Sequence, residues 1–454
     1  MSRLRAIVFY LVLFGAAFGI YHSNGPYPLG SFDSAPNSLL AFDLLSRGTL
    51  DFDVLRGGDL VRRGAGYAFV EAPSGHFVSI FPIGTAIVTL PLYVGFDLAR
   101  RVTGRPVDIA APSFDNVRQL DEKAASTIVA ALAVVLFFVC ARAIATAFAA
   151  GVATIAFALG TEMWTIASQA LWQHGSVCLT LLAMIAALQR ATRTQSRMRR
   201  TWFLAAGICA GLLVTIRPTA AAFALAGFAF VALHDRRALA AFASGLAGGI
   251  VPAVAWNLTF FHNVIGGYVP NLATVSPAVS NVAGALAGEL FSPNRGLLVF
   301  TPLVVFAVIG AVRAARAKTS DASLLVLLAG ASALLCVVYA YYPLWWGGWC
   351  YGPRFLTDTM PVACLLLAYA LPSFSRALAG ALFVTIAVSI AVQVVGANSG
   401  IQGARWNAAP RNIDNDPARV WDLSDLQIVW NARAMWEQFA PPNLKPVPPL
   451  ESLR

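Results

Sequence analysis

Apolar runs recur along this chain at nearly the length needed to cross a bilayer, and short polar breaks separate them. A transmembrane helix needs about 20 apolar residues. The pattern predicts eleven spans, at about 5–21, 124–141, 144–160, 175–189, 202–216, 218–234, 238–256, 297–313, 322–341, 359–373 and 376–395. The breaks alternate in character. One set, with its flanks, carries fourteen basic residues: Arg3, Arg5, Arg142, Arg190, Arg193, Arg197, Arg199, Arg200, Arg236, Arg237, Arg313, Arg316, Lys318 and Arg376. The short connections of the other set carry only Arg217, Arg295 and Arg354. Lys and Arg mark the cytoplasmic side, so the second set faces outward. The expected protein is an all-α polytopic membrane protein, multi-pass, with this second set of connections at the periplasmic or extracellular surface.

One segment strains this pattern. Residues 77–97 are apolar enough to span, but a crossing there would invert every later helix. Parity predicts that it lies at the outer interface or re-enters, and Pro82, Gly84 and Pro91 suit a broken helix. Residues 22–123 then form a large outer loop carrying interfacial helices, within a transmembrane domain of residues 1–395. Residues 396–454 follow the last span as an outer tail or small cap; Trp406, Trp421, Trp430 and Trp436 suit headgroup level or a folded core. The basic start and apolar run of residues 5–21 imitate a signal peptide. No clear small-residue cleavage site follows, so a retained anchor is expected.

Composition supports the class. The chain is 58% hydrophobic and 12% charged, against roughly 25% charged in soluble domains. Its net charge of +10 sits in loops beside spans, which explains it without nucleic acid. The six cysteines lie mostly in apolar segments without CxxC spacing, and read as small core residues. Walker, Rossmann, GxSxG and HExxH patterns are absent, so a group donor would be carried by a lipid and not by a nucleotide-binding fold.

The outward connections hold the candidate chemistry. Asp33, in LGSFDSAPNSLL, either caps the following helix or acts as a general base on an acceptor hydroxyl. Glu71 and His76, in VEAPSGHF, are candidates to line the same cleft as acceptor ligands. His174, in SQALWQHGS, ends a span beside polar Gln169 and Gln173, which is costly in lipid unless a wet cavity adjoins. Arg217 starts the turn RPTA, and Arg295 lies in SPNRG. The stretch PLWWGGWCYGPRFLTD gathers Trp345, Trp346, Trp349 and Tyr351 with Gly347, Gly348 and Gly352, followed by Arg354 and Asp358. Glycines allow close backbone approach to a ligand, Arg grips phosphate, and aromatic planes suit an isoprenoid or a sugar face.

The stretches GHFVSIFPIGTAIVTLPLY, SQALWQHG, IRPT, SPNRGLLVFTP and WWGGWCYGPRFLTD resemble those of GT-C superfamily integral membrane glycosyltransferases, whose relatives include protein O-mannosyltransferases and lipid A aminoarabinose transferases. The resemblance extends to about residue 395. It implies a polyprenyl-phosphate sugar donor and a glycan, lipid or protein acceptor outside the cytoplasm, with membrane lipids as surroundings. Asp33 maps onto the base that activates the acceptor hydroxyl; Arg295 and Arg354, then Arg217, onto the donor phosphate ligands. Many relatives carry an acidic pair early in the loop, whereas here Ser34 follows Asp33, so the base assignment and any divalent cation are left open. The competing class is a transporter or flippase of a lipid-linked saccharide, which would place charged residues at mid-span.

Overall fold

The computed structural model describes residues 3–24, 32–62, 65–109, 111, 113–195, 198–267 and 281–439. The Pro-rich stretch that ends the chain lies outside them, as does Arg197. Helices dominate the described residues. They are α1 (Arg3–His22), α2 (Ala35–Arg47), α3 (Gly84–Val102), α4 (Phe114–Ile144), α5 (Ala147–Leu159), α6 (Gln173–Arg193), α7 (Met198–Ile216), α8 (Ala221–His234), α9 (Leu239–Phe261), α10 (Val282–Phe291), α11 (Val305–Arg316), α12 (Ser320–Ala340), α13 (Met360–Ala370), α14 (Arg376–Asn398) and α15 (Gln427–Phe439). One antiparallel hairpin, β1 (Phe69–Glu71) with β2 (Phe77–Ser79), pairs Val70 with Val78.

Among the described residues, eight helices are long and apolar enough to cross a membrane. Eleven were expected. Two of the others, Ala147–Leu159 and Pro218–His234, are apolar but short. The predicted span at 297–313 is split by Pro302 into Leu297–Phe300 and α11, as a missing N–H and a fixed ring require.

Two other boundaries differ from expectation. α4 begins at Phe114, ten residues before the predicted span. At 31 residues it is about 46 Å long, against about 30 Å of hydrocarbon. The surplus carries Arg118, Asp121, Glu122 and Lys123 beyond the apolar part, and these residues plant the first loop on the bundle. Glu122 accepts from the Ser38 hydroxyl and the Leu171 N–H, Asp121 pairs with Arg100 of α3, and Asn37 of α2 donates to the Leu171 carbonyl at 2.8 Å. Lys123 places its ammonium against three neutral oxygens, of Asn24, Ser168 and Gln169. The end of α1 is thereby pinned to the chain leading into α6.

The segment over 77–97 becomes β2 and α3. A Cβ on Gly84 would lie 2.3 Å from Ile216 N, so the start of α3 rests on the end of α7. Its other end pairs with the polar N-terminal extension of α4. Both ends touch the same end of the bundle, and α3 is not among the helices long and apolar enough to span. At the opposite end Arg193 bonds to Asp321 and the Ala143 carbonyl, and Arg199 pairs with Asp235. The basic connections therefore gather away from the first loop.

Helices α7 and α9 pack backbone to backbone. Cβ atoms on Gly207 and Gly211 would fall 2.0 Å and 2.2 Å from the carbonyl oxygens of Phe242 and Leu246. Gly245 and Gly249 repeat the four-residue spacing from the other side. Small residues at this spacing let membrane helices approach closely, where lipid supplies no hydrophobic drive for association. Gly211→Leu is expected to lower the melting temperature of the purified protein by several degrees. Gly248→Leu, on α9 with nothing within 4 Å, is expected to leave it unchanged.

Candidate active site

Two short irregular segments set the site. A π-helical turn at Met163–Ala167 widens the chain before α6, a device found often at functional positions. It presents Trp172 and His174 at the start of α6. The second segment is the helical turn Arg354–Thr359 that leads into α13. With Arg217 at the end of α7 and Asp33 ahead of α2, these segments meet at the end of the bundle that carries the first loop.

The side chains form one continuous wall. Arg354 Nη1 donates to Asp33 Oδ2 at 2.6 Å, and the Tyr67 hydroxyl donates to the other Asp33 oxygen. The Arg354 guanidinium lies 5.2 Å from the Trp172 ring and 5.4 Å from Phe355. Arg217 lies over Phe355 and Tyr339, each at 5.3 Å. Its Nη1 approaches Asp358 Oδ2 at 3.5 Å and the His174 ring at 2.9 Å. His174 Nδ1 is 2.7 Å from Asp358 Oδ1. Arg217 Nη1 is 2.9 Å from both ring nitrogens; a neutral imidazole that donates from Nδ1 to Asp358 and accepts at Nε2 from Arg217 suits both neighbours. Two carboxylates thus balance two guanidiniums, and cation–π contacts cover the remaining faces.

Asp33 does not cap α2. Ser34 holds the N-cap position without a side-chain bond, and a proline enters the first turn as predicted. The capping reading of Asp33 fails because Tyr67 and Arg354 take its oxygens.

Arg295 is not part of this wall. All five of its N–H groups are spent, on the oxygens of Trp346, Asn294, Gln427, Gly348 and Asn407. It is 1% exposed and has no donor left for a phosphate. Its ring partner is Trp406, at 5.1 Å, which Arg419 contacts as well, at 4.2 Å. Arg295 therefore fastens residues 399–439 to the bundle.

The aromatic residues before Arg354 pack on the cap and on the bundle beside it. Trp346 Nε1 donates to Asp414, Trp349 Nε1 to Asn412, and the Tyr351 hydroxyl to the Val392 carbonyl. Trp345 covers Gly288, where a Cβ would lie 2.0 Å from its ring. The glycines are there for backbone conformation: Gly347 and Gly352 have φ of 84° and 64°, a region closed to most side chains. A ligand-lining role for Trp345, Trp346, Trp349 and Tyr351 is not what this packing supports.

Glu71 and His76 belong to a separate cluster on the hairpin. Glu71 pairs with Arg56, and His76 Nδ1 lies 2.8 Å from Asp53 Oδ2. Asp51, Asp53 and His76 bring potential cation ligands within 4.8 Å of one another. Asp53 is already engaged by the Phe77 N–H and Arg56. Partial burial opposes its ionisation, but those bonds and His76 pull its carboxyl down to about 2.

With the geometry in place, the backbone can be compared with solved structures. ArnT from Cupriavidus metallidurans in the apo state aligns over 97% of this chain and 76% of its own, with TM-score 0.53 and 16% identity. Bound to undecaprenyl phosphate, it aligns over 96% and 76%, at 0.50 and 14%. The archaeal oligosaccharyltransferase AglB from Archaeoglobus fulgidus, in complex with an inhibitory peptide and a dolichol-phosphate, aligns over 91% of this chain and 59% of its own, at 0.50 and 12%. The fold is GT-C. No protein-family model and no curated protein matches the chain.

Within this fold the structure unites Asp33, Arg217, His174, Arg354 and Asp358, and leaves Arg295, Glu71 and His76 outside. Sequence reading missed Tyr67, Trp172, Tyr339 and Phe355. Trp172 and Phe355 stand beside residues that were singled out, and adjacency was their signal; Tyr67 and Tyr339 had none. Arg295→Ala would strand several buried acceptors. It is expected to cost about 3 kcal/mol of stability, read as a lower melting temperature. The depressed Asp53 carboxyl stabilises the hairpin above about pH 4, and that contribution is lost as pH falls toward 2. Exchange at the Phe77 amide is expected to be slower in wild type than in Asp53→Asn at pH 6, with the difference shrinking as pH falls toward 2 and closing below it.

Proposed function

We propose that this chain is a glycosyltransferase that moves a sugar from a polyprenyl-phosphate carrier to a hydroxyl of a glycan, lipid or protein, on the periplasmic face of a bacterial inner membrane. The observation that carries the reading is the Asp33–Arg354 pair at 2.6 Å, a carboxylate and a guanidinium held together at the end of the bundle opposite the basic connections. The two neighbours captured with undecaprenyl phosphate and dolichol-phosphate support a lipid phosphate as the carrier.

The chemistry follows from the wall. Asp33 accepts the proton of the acceptor hydroxyl as its oxygen attacks the anomeric carbon. The bond from that carbon to the phosphate oxygen breaks on the opposite face, which inverts the configuration. The electron pair leaves with the polyprenyl phosphate, and its growing charge is met by Arg354 and Arg217. Asp358 and His174 hold Arg217 in place, so its guanidinium does not reorganise during the step. The phosphate competes with Asp33 for Arg354, and its arrival releases the carboxylate to act as base.

Asp33→Asn is expected to lower transfer from a synthetic polyprenyl-phosphate sugar by about 10²–10⁴-fold, while undecaprenyl phosphate still binds. Arg354→Ala is expected to weaken that binding at least tenfold. Full transfer activity in Asp33→Asn would remove the base from the scheme.

A further inference from the structure

We infer that the phosphate of the carrier lipid is seated on the N-terminus of α6, with the indole N–H of Trp172 as a direct ligand; this rests on the function proposed above. The start of α6 carries no side-chain cap and no acidic residue in its first turn. Its 21 residues present unpaired backbone N–H groups and the positive end of the helix dipole, the arrangement that receives anions in other folds.

Independent side-chain observations point to the same spot. Trp172 is 3% exposed, yet its Nε1 has no hydrogen-bond acceptor. Arg354 Nε is also buried without an acceptor, as is Gln173 Nε2. Arg354 and Trp172 are in contact, guanidinium over ring at 5.2 Å, and Gln173 is the next residue in the chain. Two of these donors, on Trp172 and Arg354, stand side by side at the helix terminus. The Asp33 oxygens are taken by Arg354 and Tyr67, and Asp358 Oδ1 by His174; Asp358 Oδ2 lies 3.5 Å from Arg217 Nη1 without a hydrogen bond. Buried N–H groups are rarely left unpaired, and these call for a ligand that brings several acceptor oxygens. A phosphate monoester does so, and its charge suits both the dipole and the two guanidiniums. A free phosphate has the same head, so the lipid must be distinguished by experiment.

The full chain in nanodiscs, labelled with ¹⁵N on tryptophan indoles, is titrated with undecaprenyl phosphate, undecaprenol and inorganic phosphate. Undecaprenyl phosphate is expected to shift one indole N–H signal that is missing from Trp172→Phe; undecaprenol and millimolar inorganic phosphate are expected to leave it in place. Trp172→Phe keeps an aromatic face for Arg354 and removes only the donor. It is expected to lose about tenfold in affinity for undecaprenyl phosphate and nothing for undecaprenol. An unshifted Trp172 indole in wild type, or unchanged affinity in Trp172→Phe beside a loss in Arg354→Ala, overturns the seat and leaves the proposed function standing. An equal response to inorganic phosphate overturns the lipid assignment. If wild type does not prefer undecaprenyl phosphate to undecaprenol, the functional reading falls as well.

Discussion

The ion pair between Asp33 and Arg354 is the contact on which the rest of the wall depends. Its partners stand 321 residues apart, and each would be costly beside hydrocarbon without the other. A charge near a membrane must be paired or reach water. That constraint brings the first loop down onto the turn before α13, and the loop needs independent footing to hold the distance. The extension of α4 supplies it. Ser38, Asn37 and Arg100 all bond to it or to the Leu171 backbone beside it, so Asp33 is positioned by a rigid support and not by the ion pair alone.

Much of the architecture was legible because lipid penalises exceptions. Apolar length marks spans, and asymmetry of Lys and Arg marks the two ends. Charged or polar residues that survive among the apolar segments of the other end, such as Asp33, His174, Arg217, Arg354 and Asp358, stand out for the same reason, and these are the residues that meet. Arg295 misled because its sequence setting, a tight turn before an apolar run, is the same for an arginine facing a ligand and for one saturated by backbone oxygens. Only the partners differ, and they come from Trp346, Asn407 and Gln427, far away in the chain. The tryptophans before Arg354 misled in the same manner. Their indole donors are taken by Asp414 and Asn412, in a part of the chain whose fold could not be read from composition. Helix limits failed where geometry overrode hydropathy: the charged turns of α4 continue a helix that the apolar pattern ends.

The cap and the wall are mechanically linked. Gly352 to Arg354 runs directly from the cap's anchoring aromatics into the ion pair. Gln427 of α15 bonds both Arg295 and the Gly352 N–H. Residues 399–439 thus fix the depth at which the Arg354 guanidinium stands.

The wall's two acids, two guanidiniums and neutral imidazole sum to zero. Such a surface casts little long-range field, so dissolved anions are not drawn toward it from bulk water. On the function proposed above, discrimination then falls to delivery within the plane of the bilayer: a carrier dissolved in the leaflet reaches the wall at a high local concentration that no aqueous competitor matches. Under that proposal, electroneutrality at rest makes the hydrocarbon tail, more than the head, the ticket of admission.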